Sequence, residues 1–195
     1  GMSYEYKIKK IEHLLKEKKI NCIPPFELQI STNKEIKKWV QKFKLKSNLQ
    51  NFRYKSANLG LGVKSSLISI FKNEKYNNNI ELLRKSLTSS AIIHERTTTI
   101  IKNYKPDVLI TFNNRFSISR PIIEVANNFN IPVWRHERGS NFKKYEIFKN
   151  KNVHDLDERS KRIYSHWNCS KDRKNYIGKK YFLNNILGKR INYTG

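Results

Sequence analysis

The chain has 195 residues, which is the size of one ordinary domain and short for two. Its 40 Lys and Arg against 16 Asp and Glu give a formal charge of +24, which favours an anionic partner: nucleic acid, a phosphorylated sugar, an acidic polymer or a membrane surface. No run of about eighteen apolar residues occurs, so we expect no transmembrane helix. The charge also has a simpler interpretation, because lysine is spread along the whole chain and fits a solvated surface.

The cysteines and the first residues bear on the cellular compartment. Cys22 and Cys169 lie far apart and in no spaced motif, which favours reduced thiols over a disulfide scaffold or a zinc site. The N-terminal segment has no apolar core of a secretory signal. Both observations predict a cytoplasmic protein that binds no metal.

The first half of the chain is predicted to be mainly helical. Apolar residues recur at helical spacing in four segments, 4–18, 33–44, 62–71 and 77–103. We expect the last of these helices to be interrupted near residues 88–90. Two other segments are predicted to be extended, a short strand within 21–31 and a stretch at 48–54.

The clearest architecture follows in residues 107–134. The continuous apolar run at 107–112 is typical of a strand buried on both faces of a parallel sheet. Ser119 can cap a helix with Pro121 in its first turn, and 131–134 reads as a second strand. Strand, helix and strand within about thirty residues form a βαβ unit. We therefore predict an α/β fold, with a Rossmann-like open, mostly parallel sheet flanked by helices.

Polar residues end both predicted strands. Asn113, Asn114 and Arg115 follow the first, and the segment 135–138, Arg-His-Glu-Arg, follows the second. Four ionisable groups in a row are costly to bury, so this segment is expected to surface abruptly. In open α/β sheets ligands bind outside the carboxyl ends of the strands, where both clusters could hold sugar hydroxyls or phosphate. In the alternative interpretation, the asparagines form a turn and the arginines pair with Glu137 or Asp155.

A glycine-containing segment precedes the predicted helix at 62–71. Gly60, Gly62 and Ser65 form G-x-G-x-x-S, which is close to a dinucleotide fingerprint but has serine in the third place. The acidic residue about twenty positions later is Glu81, inside a predicted helix, which argues against NAD. A backbone turn is the simpler interpretation, and its amides are candidates to contact a ligand.

The order of these segments resembles the N-terminal domain of bacterial capsular and surface-polysaccharide glycosyltransferases of the GT-B type. The resemblance spans residues 56–167 and is carried by SANLGLGVKSSLISIF, PDVLITFNNR, SRPIIEVANNFNIPVWRHERGS and NVHDLDERSKRIYSHW. In that family one strand ends in Asn-x-Arg, a later strand ends in His-Glu-Arg-Gly, and a His-Asp pair precedes a helix with a tryptophan. The matching positions are Asn113 and Arg115, His136 to Gly139, His154 and Asp155, and Trp167.

The resemblance implies a domain organisation and a cellular location. Enzymes of this type have two Rossmann-like domains facing a cleft, and the N-terminal one mainly receives the acceptor. Residues 1–195 would be that single acceptor-side domain, and the nucleotide-sugar donor would bind a second domain outside this chain. No metal or other cofactor is expected, and the protein would be cytoplasmic with peripheral contact at the inner face of the membrane.

The resemblance also implies roles for individual residues. Glu137 and His136 are the candidates for the general base that deprotonates the acceptor hydroxyl, with His154 and Asp155 behind them. Arg115 and Arg138 would orient an acidic acceptor or complement phosphate, because a guanidinium fork suits planar anions. The remaining substrate-binding candidates are Gly139, where the backbone can turn sharply, Ser140, Gly60 and Gly62.

Two other functions remain open from the sequence. Basic residues are interleaved with aromatic ones at 39–46, 52–55 and 171–182, as in modules that bind single-stranded nucleic acid. No signature of a nucleic-acid-binding fold accompanies them. A non-catalytic sugar-binding or scaffold domain of a polysaccharide assembly complex would share the same fold and the same polar rim.

Overall fold

A computed structural model describes residues 4–20, 34–73, 75–138 and 145–187, and it is a mixed α/β structure. The helices of these ranges are α1 (Tyr4–Glu17), α2 (Lys34–Gln41), α3 (Leu59–Phe71), α4 (Ile80–Tyr104), α5 (Ser119–Asn128), α6 (Leu156–His166) and α7 (Lys171–Ile186). The strands are β1 (Leu109–Phe112), β2 (Val133–Arg138) and β3 (Tyr145–Lys149). The strand predicted within 21–31 lies outside the described residues.

The helical half of the protein is built around α4. Asn58 and Asn79 cap α3 and α4 by accepting hydrogen bonds from the amides of Leu61 and Leu82. The apolar stripes of α2, α3 and α4 meet in one core. Its largest fully buried side chains are Phe43, Tyr54, Ile36, Leu59, Leu83, Leu87 and Val63.

Three predictions in this half are corrected. Helix α3 begins at Leu59, so the expected glycine turn is the first turn of a helix. Helix α4 runs without the expected interruption, and the hydroxyl groups of Thr88 and Ser89 donate to the carbonyls of Arg84 and Lys85 within it. The stretch predicted to be extended at 48–54 contains a 3₁₀ turn, Leu49–Asn51.

The sheet has three strands in the order β1-β2-β3. Strands β1 and β2 pair in parallel, with Leu109 opposite Val133 and Phe112 opposite His136, and α5 connects them. The predicted strand–helix–strand unit is therefore confirmed. Strand β3 pairs antiparallel with β2, so the sheet is mixed, with one parallel and one antiparallel pair.

Three details of this unit differ from the prediction. Strand β2 continues to Arg138, four residues beyond the predicted end, because β3 supplies an antiparallel partner along that length. Strand β1 is covered on one face only, since Ile110 and Phe112 are 61% and 46% exposed. Helix α5 starts at Ser119 itself; Ser119 is its first residue and gives no cap hydrogen bond.

Candidate active site

Asn113 follows β1 directly and makes a tight turn. Its φ of 51° lies in the left-handed region, which asparagine tolerates better than most residues. Its amide donates to the carbonyl of His136 at 3.0 Å, and its side-chain Oδ1 accepts from the amides of Asn114 and Arg115 at 2.6 and 3.2 Å. The interpretation of these asparagines as a turn is therefore confirmed.

The same side chain joins three segments of the chain. Because Oδ1 accepts backbone amides, Nδ2 is the donor group, and it donates to Glu137 Oε2 at 2.6 Å. Nδ2 also lies 3.4 Å from His154 Nε2, in the loop before α6. Asn113 is only 2% exposed. We call Asn113, Glu137 and His154 the Asn113 cluster; it brings one residue from each predicted polar segment, Asn113 and Glu137, to the same edge of the sheet.

The hydrogen bonds of the Asn113 cluster fix its chemistry. Glu137 Oε1 accepts from the amide of Arg138 at 3.1 Å, so both carboxylate oxygens have donors and the carboxylate is held in place. His154 Nε2 lies 3.4 Å from the same Nδ2 group, so the imidazole ring stands beside the bound carboxylate. A positioned carboxylate of this kind can accept a proton from a hydroxyl group.

The structure separates the two residues predicted as catalytic. Successive side chains of a strand point to opposite faces, so His136 faces away from Glu137. The ring of His136 lies between those of Phe112 and Tyr145, with centroid distances of 5.4 and 6.0 Å. Glu137 therefore belongs to the Asn113 cluster, whereas His136 lies on the other face of the sheet.

The arginines of β2 do not surface together as expected. Arg135 is buried and donates from Nη1 to the carbonyl of Lys151 at 2.8 Å. Burial, and secondly the charge of Arg120, lower the pKa of Arg135. Arg138 is exposed at the end of the strand. The desolvation argument was wrong for Arg135, because a strand that alternates its side chains needs to bury only one face.

Two further site residues predicted from the sequence have local structural contacts. Arg115 is exposed, and its guanidinium lies 4.7 Å from the ring centroid of Phe116. Asp155 caps α6 by accepting from the amide of Glu158 at 3.0 Å. Asp155 thereby fixes the start of the helix, and the preceding His154 is held beside Asn113.

Of the glycines predicted to bind substrate, Gly60 and Gly62 lie where helix α3 packs closely, and Gly139 lies outside the described residues. A Cβ on Gly60 would lie 1.9 Å from the carbonyl oxygen of Leu49, and one on Gly62 would lie 2.8 Å from Cβ of Arg120. The amide of Gly60 donates to the carbonyl of Phe52. These glycines allow close packing of α3, and their ligand contact stays a prediction. Gly139 and Ser140 lie outside the described residues.

A second group of polar side chains was missed by sequence reasoning. A cleft of about 410 Å³ between β3 and α6 is lined by Glu146, Arg159, Arg162 and Ile163. Glu146 lies directly opposite Glu137 in the β2–β3 ladder, so both carboxylates are on the same face of the sheet. Arg159 and Arg162 stand three residues apart on α6, a spacing that could have indicated a shared helix face.

Within the described ranges, no three His, Cys, Asp or Glu side chains come together in a way that could hold a metal ion. The helices of those ranges include none that is both long enough and apolar enough to cross a membrane. Comparison of the chain with protein-family models, curated proteins and solved structures finds no match.

Proposed function

We propose that this chain is a Rossmann-like, acceptor-side domain of a GT-B glycosyltransferase that builds capsular or other surface polysaccharide. The observation that carries the proposal is the Asn113 cluster, in which Asn113 Nδ2 donates to Glu137 at 2.6 Å beside His154. Glu137 would be the base that deprotonates the acceptor hydroxyl while the leaving phosphate departs from the donor. The nucleotide-sugar donor would bind a second domain.

The order of elements supports this proposal. In open α/β sheets, ligand sites form beyond the carboxyl ends of parallel strands, and the Asn113 cluster lies at that edge of β1 and β2. The charge of +24 suits an anionic acceptor and the phosphates of a donor. His154 lies beside Glu137 because both contact Asn113 Nδ2, so it offers a second polar group for the acceptor at the same site. The net positive charge would keep the protein near an anionic membrane surface.

Replacement of Glu137 in the producing cell tests the proposal. A strain whose gene carries Glu137→Gln should lose its surface polysaccharide on gels of extracted polymer, because the amide cannot accept the hydroxyl proton. Asp157→Asn, which removes one exposed negative charge from α6, is the matched control and should leave the polymer unchanged. Immunoblotting should show equal amounts of all variants. Unchanged polymer in the Glu137 variant would instead favour a non-catalytic scaffold.

One observation favours nucleic-acid binding as a second candidate function. Helix α7 exposes Tyr176 between Arg173 and Lys180, whose charged groups lie 5.5 and 5.9 Å from its ring centroid. Trp39 and Phe43, in the other predicted segments, are unsuited to bases, since both rings pack on Phe52 at about 5 Å. Fluorescence anisotropy with a random oligonucleotide should show steep salt dependence if this function is real.

A further inference from the structure

The cleft between β3 and α6 presents two guanidinium groups whose positions are fixed. The Arg162 guanidinium lies 4.2 Å from the ring centroid of Phe148, donates to the carbonyl of Ile147 at 3.1 Å and contacts Glu158 at 3.0 Å. Arg159 donates from Nε to the carbonyl of Val153 at 2.7 Å. Side chains held in this way lose little further conformational entropy when they bind a ligand.

The arginines are also incompletely used by these contacts. A guanidinium has five N–H donors, and Arg162 uses Nε and Nη1 in the contacts above. Arg159 Nη2 lies 3.7 Å from Glu146 Oε2, which is a loose ion pair. With respect to the described residues, donor groups on both arginines therefore remain to bind an oxygen-rich anion in the cleft.

The other two lining residues restrict what that anion is. Glu146 adds a carboxylate, which accepts hydrogen bonds from hydroxyl groups and repels a doubly charged phosphate more strongly than a singly charged carboxylate. Ile163 is 54% exposed and offers an aliphatic surface. Two guanidinium groups, a hydroxyl acceptor and an aliphatic surface together match a sugar that carries a carboxylate.

We propose that the cleft lined by Glu146, Arg159, Arg162 and Ile163 binds an acidic sugar residue, with its carboxylate on the arginines and a hydroxyl on Glu146. This inference deepens the proposed function, on which it rests, because it names the class of acceptor. Glu146 and Glu137 face each other across adjacent strands at about 5 Å between Cβ atoms. A sugar in the cleft thus places its neighbouring hydroxyl or next residue beside the Asn113 cluster.

A matched pair of ligands tests the proposal on the whole chain. Methyl β-glucuronide and methyl β-glucoside differ only by the carboxylate, and their binding is measured by titration in two-dimensional amide NMR spectra. We expect the glucuronide to bind about tenfold more tightly, as for a hydrogen-bonded charge. The largest shifts should fall on β3 and α6. Equal affinity for the two sugars would overturn the proposal.

Variants locate the binding site. Arg159→Lys with Arg162→Lys keeps both charges but removes the planar forks, and should abolish the preference for the glucuronide. Lys161→Ala is the control, because Lys161 is an exposed cation between the two arginines on the same helix. If the double variant unfolds, Glu146→Gln replaces it; it should weaken binding of the glucoside, which loses a charged hydroxyl acceptor, and increase the preference for the glucuronide, because a charge that repels the carboxylate is removed. If Lys161→Ala loses the preference for the glucuronide as fully as the double arginine variant does, the preference reflects the overall positive charge of the helix, and the proposed site is refuted.

Two further outcomes separate this inference from the proposed function. Inorganic phosphate should displace the glucuronide poorly; displacement at equal concentration would overturn the sugar assignment and leave a simple anion site. If the Glu137 variant abolishes polymer in cells while the glucuronide shows no preference, the transferase proposal stands and the acidic-sugar inference falls.

Discussion

At the scale of single residues, Asn113 has both a backbone task and a side-chain task. Its positive φ turns the chain after β1, while its buried amide group binds two backbone amides and Glu137. Asparagine meets both needs because its short side chain bonds locally in a left-handed turn.

Two substitutions separate these tasks. Asn113→Ala should lower the free energy of unfolding by about 2–4 kcal/mol, because it adds strain at φ 51° and removes the hydrogen bonds to two backbone amides and to the half-buried Glu137. Asn113→Gly relieves the strain alone and should cost about 1 kcal/mol less. Urea unfolding followed by circular dichroism measures both values. Equal losses in the two variants would show that the left-handed turn carries no strain.

The Asn113 cluster was largely predictable from the sequence, and the division between His136 and Glu137 was not. Polar residues after two successive strands of a βαβ unit predict a common rim, which placed Asn113 near Glu137. The face of the sheet to which a side chain points depends on the register of its strand, since a shift of one residue moves every side chain to the opposite face. The predicted strand ended at residue 134, so the faces of His136 and Glu137 could not be assigned from the sequence. Pairing with β3 extends β2 as far as Arg138 and fixes both faces.

At the scale of elements, the short strand β3 was invisible to sequence reasoning. Its residues, Tyr-Glu-Ile-Phe-Lys, bury only Phe148, so no apolar alternation marks them. Its pairing with β2 places Glu146 and the Arg159–Arg162 face of α6 beside Glu137. The segment that connects β2 and β3 lies outside the described residues. The cleft therefore depends on a strand pairing that the apolar pattern of β3 does not encode.

Helix α3 depends on the absence of a side chain at Gly60. In Gly60→Ala the new Cβ would meet the carbonyl oxygens of Leu49 and Phe52 at 1.9 and 2.9 Å, so backbone must move. We expect a loss of about 1–3 kcal/mol, as for other overpacked sites. Gly178→Ala in α7 is the matched control, with open space around its Cβ, and should cost nothing. Thermal unfolding compares them; equal midpoints would contradict the close packing of α3.

At the scale of the whole molecule, a buried histidine links stability to pH. His94 in α4 is 5% exposed, and its Nδ1 lies 3.2 Å from Glu95 Oε1. Within the described residues its Nε2 has no hydrogen-bond partner, and its ring meets the edge of Tyr54 at 5.3 Å. Burial lowers the pKa of His94 and outweighs the favourable contact with Glu95; Lys55 lowers it further and Glu124 opposes.

The pKa of Glu95 adds to the same trend at lower pH. Burial would raise this pKa, but the hydrogen bond and charge of Lys55, 2.8 Å away, together with His94, lower it. A carboxyl group with a lowered pKa stabilises the fold above its unfolded pKa, and that stability is lost as pH falls below about 4.5. His94 acts earlier, because its unfolded pKa is about 6.5.

Stability should therefore fall on mild acidification, and His94 should account for the first part of the loss. Below about pH 6.5 His94 binds a proton in the unfolded chain more readily than in the folded one. This difference lowers the free energy of unfolding by about 1.4 kcal/mol for each unit by which folding lowers the pKa of His94. His94→Gln cannot titrate, so its free energy of unfolding in urea should change less between pH 7.5 and 5 than that of the wild type. His13→Gln, at an exposed position on α1, is the control and should keep the wild-type slope. A His94 variant with the full wild-type slope would place the acid sensitivity elsewhere in the fold.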